Sequence, residues 1–442
     1  MMLMIMLIFY FLLLIFLKNM KNMKFIILMM LIFFLLIKFN YYLSWQMIYG
    51  IMGIDIVSFL MILLTLWIFS MMEMVIYLFK NKLMNLILTI LLISLILCFS
   101  SMNFLIYYLF FEISLVPTFY LILGFGYQPE RLNSGMYMLM YTLFASLPLF
   151  ILIFLIFDEF NSLNYLILLN NMMKINMMNE LLYILMTLAF MVKLPLFLFH
   201  FWLPKAHVEA PVIGSMILAG VMLKLGGYGL IRSLTMMMNL SMKFNYLYYS
   251  MSLVCLINLS ILCLRQTDLK LLVAYSSVVH MGVMLLGLLS MENFGFIGGT
   301  LMMIGHGLCS SALFFSVNLM YERIKSRNMY LSKGMMVLFP SFSMFWFMLC
   351  VCNMSSPPSI NLLSELMLIY ISLNWSFNII ILLILGIYLS ACYSLYLYSY
   401  THHGKLNSLY LMSNSIKMND YMNLLNHWIP LNLMILLMKN FY

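Results

Sequence analysis

Charge is what this chain has least of. Asp, Glu, Lys and Arg make up 8% of its 442 residues, against about 25% in a soluble globular protein. Mean hydropathy is +1.07. A chain so poor in charge has no surface to show water, so a soluble enzyme or soluble binding module is excluded. The composition is that of an all-α polytopic membrane protein, in which a domain means a bundle of helices. Acid is scarcer than base, 13 residues against 22, for a net charge of +9. The basic residues are scattered through short loops between apolar runs and form no groove. No nucleic-acid partner is expected, and the charge reads as topology-setting.

Cysteine, proline and metal-ligand clusters are also sparse. The seven cysteines, Cys98, Cys255, Cys263, Cys309, Cys350, Cys352 and Cys392, all fall in apolar segments. None is in a CxxC pair, and Cys350 and Cys352, two apart on a helix, point to different faces. Zinc and iron–sulfur sites have no footing here, and these thiols read as packing residues. LGGYG at 225–229 lies inside an apolar helical run instead of following a strand, so it is no dinucleotide loop. No nucleophile elbow is present, and the adjacent His402 and His403 read as loop residues rather than a metal site. No redox or hydrolytic chemistry is expected on this chain, and no cofactor or metal.

Methionine is in excess, with 50 residues, while Gly numbers 20 and Pro 10. Residues with A/T-rich codons are inflated throughout. Under the standard code such drift would not raise Met. It does so where ATA also means Met, as in many animal mitochondria, and an A/T-rich mitochondrial gene is inferred. The alternative is selection for flexible packing.

Apolar stretches near 20 residues number about fourteen, centred on 1–17, 25–38, 53–79, 83–100, 103–124, 134–157, 180–201, 212–235, 245–264, 269–290, 293–319, 335–372, 374–400 and 424–441. The first lacks a basic leader and a cleavage site and reads as a retained helix. The seventh is interrupted at Pro195 and the twelfth at Pro357–Pro358. These breaks lie five helices apart, so spans 4–8 and 9–13 are expected to be two inverted five-helix repeats. Of the 22 Lys and Arg, fifteen follow odd-numbered spans, five lie at the opposite ends, and Lys193 and Lys224 fall within the membrane. The positive-inside rule then puts the loops after odd spans in the matrix and both termini in the intermembrane space. Three regions are expected: 1–100 with helices 1–4, 101–372 as the channel core, and 373–442 with helices 13–14.

Few ionisable residues are intramembrane, and each costs roughly 2.5–3.5 kcal/mol at a helix centre on insertion scales. Such groups are candidates for function, with a structural ion pair as the bland alternative. Glu112 lies mid-span near Pro117. Lys193 precedes the Pro195 break, and Lys224 precedes Gly226, Gly227 and Gly229. Opposite charges favour each other's charged forms while burial opposes them, so a lysine in this balance changes protonation when its partner moves. His280 and His306 sit on neighbouring spans as candidate relays, and Glu365 follows the second break. His200 would share the face of Lys193 if helix continued past Pro195. Asp55 is read as a helix cap and Glu73 as solvated near a helix end. Glu130 with Arg131 and Glu322 with Arg323 read as loop charges.

At these residues the chain resembles the subunit-4 family of mitochondrial NADH:ubiquinone oxidoreductase, respiratory complex I. The stretches that carry the likeness include YYLFFEISLVPTF, MVKLPLFLFHFWLPKAHVEAP, MLKLGGYGLIR, AYSSVVHMG, HGLCSSALFF, YERIKSR and PPSINLLSEL, between about 100 and 370. Glu365 marks this branch, since related subunits are expected to carry lysine there. The resemblance implies fourteen helices, inverted repeats and one proton channel in the membrane arm. It implies Glu112 paired with Lys193, Lys224 as the central relay with His280 beside it, and Glu365 on the exit branch. It also implies NADH, flavin, iron–sulfur clusters and ubiquinone on other subunits. The implied partners are other membrane-arm subunits, especially neighbouring antiporter-like ones, with accessory subunits and phospholipids, in the mitochondrial inner membrane. Gly305 and Ser364 depart from the Ala and Gly expected there. A stand-alone cation/proton antiporter and an inert brace of the membrane arm are the alternatives.

Overall fold

Proline removes an amide donor and restricts the residue before it, and several helices of this chain are interrupted beside one, while Pro148 and Pro430 are carried inside helices. In the computed structural model the residues described are 21–38, 45–49, 51–76, 82–172, 180–405 and 415–436. The expected first span, 1–17, and the end of the fourteenth lie outside them. Among the described residues, nine helices are long and apolar enough to cross a membrane, and Lys24–Leu36, Pro340–Asn353 and Ile360–Trp375 are shorter apolar helices. The only strands among these residues, Gln46–Tyr49 and Met52–Ile54, form a short antiparallel hairpin ahead of the helix Ile56–Ile76.

Two compact units divide the described chain. One runs to Lys193 and takes up Glu209–Leu240; the other holds Leu194–Val208 and continues from Ser241. In the first, the span Val212–Met236 is buried along nearly its whole length, with only Arg232 and Thr235 half-buried. It packs on Glu180–Lys193, Ile56–Ile76 and Tyr165–Met172. In the second, Asn293–Ile324 is the enclosed helix, packed by Leu269–Leu289, Pro340–Asn353, Ile360–Trp375 and Met418–Leu433. Lipid tails give helices no hydrophobic reason to associate, so close backbone approach must supply the attraction. The glycines of Asn293–Ile324 do this. A Cβ at Gly299 would sit 2.7 Å from Leu288 Cδ2, and one at Gly295 2.2 Å from the Gly287 carbonyl oxygen. By contrast Phe377–His402 and Arg131–Phe160 are mostly uncovered, with 28% and 39% of an 18-residue apolar stretch buried; their bare apolar faces suit lipid or another membrane chain.

Local breaks place the polar groups. Helix Glu180–Lys193 ends at Lys193, and turns follow to Trp202–Glu209. Helix therefore does not continue past Pro195, and the premise that aligned His200 with Lys193 fails. His200 instead bonds the Phe197 carbonyl and stacks on Phe201 at 4.4 Å. The fifth span is two segments, Phe104–Ile113 and Leu115–Phe125, joined at Ser114, because Pro117 cannot donate to the carbonyl four residues back. The twelfth breaks between Asn353 and Ile360 through a turn with Ser355 at φ 54° and a cis Pro357–Pro358 peptide. It is also interrupted before Pro340. The eighth departs differently: residues Leu218–Met222 form a π-helical turn inside it.

Candidate functional site

The first unit holds three of the candidate groups. At the Ser114 joint the Phe111 carbonyl accepts the Ser114 hydroxyl at 2.8 Å and the Lys193 ammonium at 3.1 Å. The same ammonium sits 3.0 Å from the centre of the Phe111 ring. Lys193 is thus buried with a carbonyl and an aromatic face as its immediate partners, a good cation site where water is excluded. Glu112, the next residue on that helix, lies within electrostatic reach of Lys193, with Ser146 beside it. Neither of its carboxylate oxygens has a hydrogen-bond partner among the described residues. The two charges are neighbours, and here the cation binds Phe111 instead of the carboxylate.

Lys224 is fully buried and donates to the Ala219 carbonyl. The π turn explains this bond. Bonding five residues back rather than four, as Leu223 does to Leu218, leaves one carbonyl of the turn to be satisfied by something else. Ala219 belongs to that turn, and the lysine ammonium meets its carbonyl.

The second unit brings His280, His306 and Glu365 together. His280 Nδ1 is 3.3 Å from Glu365 Oε1, and its Nε2 is 3.2 Å from the Tyr393 hydroxyl. The His306 ring lies 5.7 Å from that of His280. The Ser355 hydroxyl, from the break, donates to Glu365 Oε2. Side chains reinforce the backbone turn at the break: Cys352 O accepts Ser355 N at 3.2 Å and Asn361 Nδ2 at 2.9 Å, and Val351 O accepts Ser356 N at 3.2 Å and the Ser356 hydroxyl at 3.0 Å. His280 and Glu365 also line a small cavity with Ser390 and apolar neighbours including Val283 and Leu256.

Asp55 does cap its helix, accepting from Ser58 N at 2.8 Å. Its other oxygen binds Arg232 at 2.6 Å. Arg232 lies over Trp45 and Tyr228 and also donates to the Tyr228 hydroxyl at 3.1 Å. This buried ion pair joins residues too far apart in sequence for spacing to reveal. Glu73 is buried, not solvated. Glu322 and Arg323 belong to the last turns of Asn293–Ile324 and are no loop pair; Arg323 faces Asp420 at 3.8 Å. The helix runs a turn further than its apolar stretch because Lys325, at φ 59°, caps it. His402 ends the helix Ile380–His402, buried between Trp346 and Tyr398. A buried histidine that sequence reasoning passed over, His427, meets the Ser311 hydroxyl at 3.4 Å.

A polytopic helical fold with acid and base buried at its helix breaks defines a class of ion-translocating membrane proteins. Residues 101–390 match the family described as NADH:quinone oxidoreductase/Mrp antiporter, TM, and the chain belongs to that family. It is 50% identical over 390 residues to NADH-ubiquinone oxidoreductase chain 4 of Ceratitis capitata, covering 87% of this chain and 86% of that one. It is 45% identical over 406 residues to the chain 4 of Locusta migratoria, covering 91% and 90%. A chain in the structure titled respiratory complex I from Thermus thermophilus with bound NADH superposes with a TM-score of 0.85 at 19% identity, covering 97% of this chain and 95% of that one. That last likeness is one of fold.

Proposed function

We propose that this chain is a proton-translocating subunit of the membrane arm of mitochondrial complex I. In this reading it couples NADH oxidation by ubiquinone, carried out on other subunits, to proton movement across the inner membrane. NADH, flavin, iron–sulfur clusters and ubiquinone belong to those other subunits, and this chain contributes the channel, centred on residues 101–372. Its partners are neighbouring antiporter-like subunits, accessory subunits and phospholipid. The relatives named NADH-ubiquinone oxidoreductase chain 4 support the assignment to the complex.

The observation that carries the proton role is the separation of Lys193 from Glu112. A lysine shared between a carboxylate and a carbonyl-plus-ring site has two resting places. With the ammonium on Phe111, the proton is held less tightly than it would be against Glu112, since an adjacent anion favours the charged form. A charge or shape change arriving at this unit shifts the balance, and each factor of ten in proton affinity needs only about 1.36 kcal/mol. Lys193 then passes its proton toward Lys224. From there it goes through His280 and His306, with water, to Glu365. His280 suits a relay because both its ring nitrogens have polar partners, Glu365 on one side and Tyr393 on the other.

In the assembled enzyme, Glu112→Gln and Lys224→Ala should each remove most of the pumping-coupled turnover. A full proton-to-electron ratio in both variants would overturn the reading. Failure to co-purify with an NADH-oxidising complex would favour the free-standing antiporter, and a sealed interior without ordered water would favour the brace.

A further inference from the structure

Resting on that proton reading, we infer that Tyr107 is the positioning residue that couples the Glu112–Lys193 pair to Lys224. Nothing in its sequence marks it out: it is one of 29 tyrosines. The inference comes from where its ring and hydroxyl go.

Tyr107 is fully buried, and it lies five residues before Glu112 on the same helical segment. Its ring packs at 5.8 Å from that of Phe111, which holds the Lys193 ammonium on its face. It packs at 6.1 Å from Phe190, one turn before Lys193 on the Glu180–Lys193 helix. The hydroxyl crosses to the third helix and donates to the Leu225 carbonyl at 2.8 Å, next to Lys224. One side chain therefore touches the helices of all three groups.

The third helix is cut to receive it. A Cβ at Gly229 would lie 2.6 Å from the Tyr107 hydroxyl oxygen and 2.3 Å from Phe190 Cε1. Only a bare backbone at 229 lets both rings approach, so this glycine answers to a close approach rather than to a turn. The Leu225 carbonyl, already inside a helix, takes a second donor there. That bond ties the Tyr107 helix to the first turn after the π segment, where Lys224 sits. Movement of the Phe111 carbonyl and ring as Lys193 shifts is transmitted through packed rings to the backbone beside Lys224. Close-packed interiors pass on such displacements instead of absorbing them.

The test is Tyr107→Phe in the assembled complex, since it keeps the ring and deletes the hydroxyl. Expected is normal assembly, with proton-coupled turnover slowed about three- to tenfold, the effect of one net hydrogen bond. Gly229→Ala should reproduce it, and adding Tyr107→Phe to Glu112→Gln should cost nothing further, because the residues act in one unit. A merely structural tyrosine would lower the amount of assembled enzyme and leave turnover per complex unchanged. That result, or full additivity with Glu112→Gln, overturns the inference. If Glu112→Gln itself pumps normally, the underlying proton reading has failed instead.

Discussion

A charged residue buried in the membrane interior needs local partners, and most of the charged groups here find them in different ways, Glu112 being the exception. Lys193 has a carbonyl and a ring, Lys224 a carbonyl within a π turn, and Asp55 with Arg232 have each other. Intramembrane charge is rare enough to be conspicuous in sequence, so Glu112, Lys193, Lys224 and Glu365 could be singled out on insertion cost alone. Asp55 was legible as a helix cap and Arg232 as one of the five basic residues at the opposite ends of the spans, and their pairing was not. The difference matters for stability. Asp55→Asn leaves the guanidinium buried without its counter-charge, and losing one partner of a buried pair costs about 3–5 kcal/mol. Retaining an amide at the cap position keeps most of the capping energy. The expected outcome is a clearly lower thermal midpoint for the purified complex, with turnover per surviving complex near normal. An unchanged midpoint would mean that the pair contributes nothing to the fold.

At the scale of elements, what sequence reveals is chain chemistry and what it hides is packing. Pro195 and Pro357–Pro358 announced both broken helices, since proline lacks the amide a helix needs. The π turn at Leu218–Met222 has no such signature, although it decides where the Lys224 ammonium goes. Helix ends blurred for a related reason: Asn293–Ile324 outruns its apolar stretch to a left-handed cap at Lys325. Gly305 shows how an element is fitted to its neighbour. A Cβ there would sit 2.1 Å from Asn361 Oδ1 and 2.6 Å from Ile360 Cγ2. Asn361 also holds the Cys352 carbonyl across the break. The bare backbone at 305 lets the second half of the broken helix approach closely. Gly305→Ala should therefore displace Asn361, loosen the Ser355–Glu365 contact and cost about 1–3 kcal/mol, the usual range for overpacking. The check is a melting curve alongside turnover. Wild-type values in both would show that Asn361 and Ile360 move aside freely.

At the scale of the whole molecule, the question is which loops share a side. Counting spans by hydropathy gave an alternation, and a miscount of one helix would reverse every loop after it. Backbone bonds between loops test the count independently. In the first unit, Met102 N donates to Ile51 O at 2.9 Å, Phe104 N to Leu163 O at 3.0 Å and Tyr165 N to Met102 O at 3.0 Å. The segments before the third span, after the fourth and after the sixth thus meet at one end. In the second unit, Leu269 N donates to Arg327 O at 3.0 Å, Met329 N donates to Thr267 O at 2.9 Å, and Tyr330 packs at 6.1 Å from Tyr400. Those residues follow or border the ends of the ninth, eleventh and thirteenth spans. Each unit keeps the parity that the apolar stretches imply, and the basic residues concentrate after the odd spans. We therefore propose that the loops after odd spans face the matrix and both termini the intermembrane space. Single cysteines at Lys325 and at Lys243, both exposed, test this with a membrane-impermeant maleimide. The seven native thiols give little background, since six are buried and Cys392 is half-buried. Lys243→Cys should label in mitoplasts, where the intermembrane face is open. Lys325→Cys should label only in inverted inner-membrane vesicles. The opposite pattern would turn the molecule over. Labelling of both from one side would break the alternation itself, and with it the helix count on which the channel reading was built.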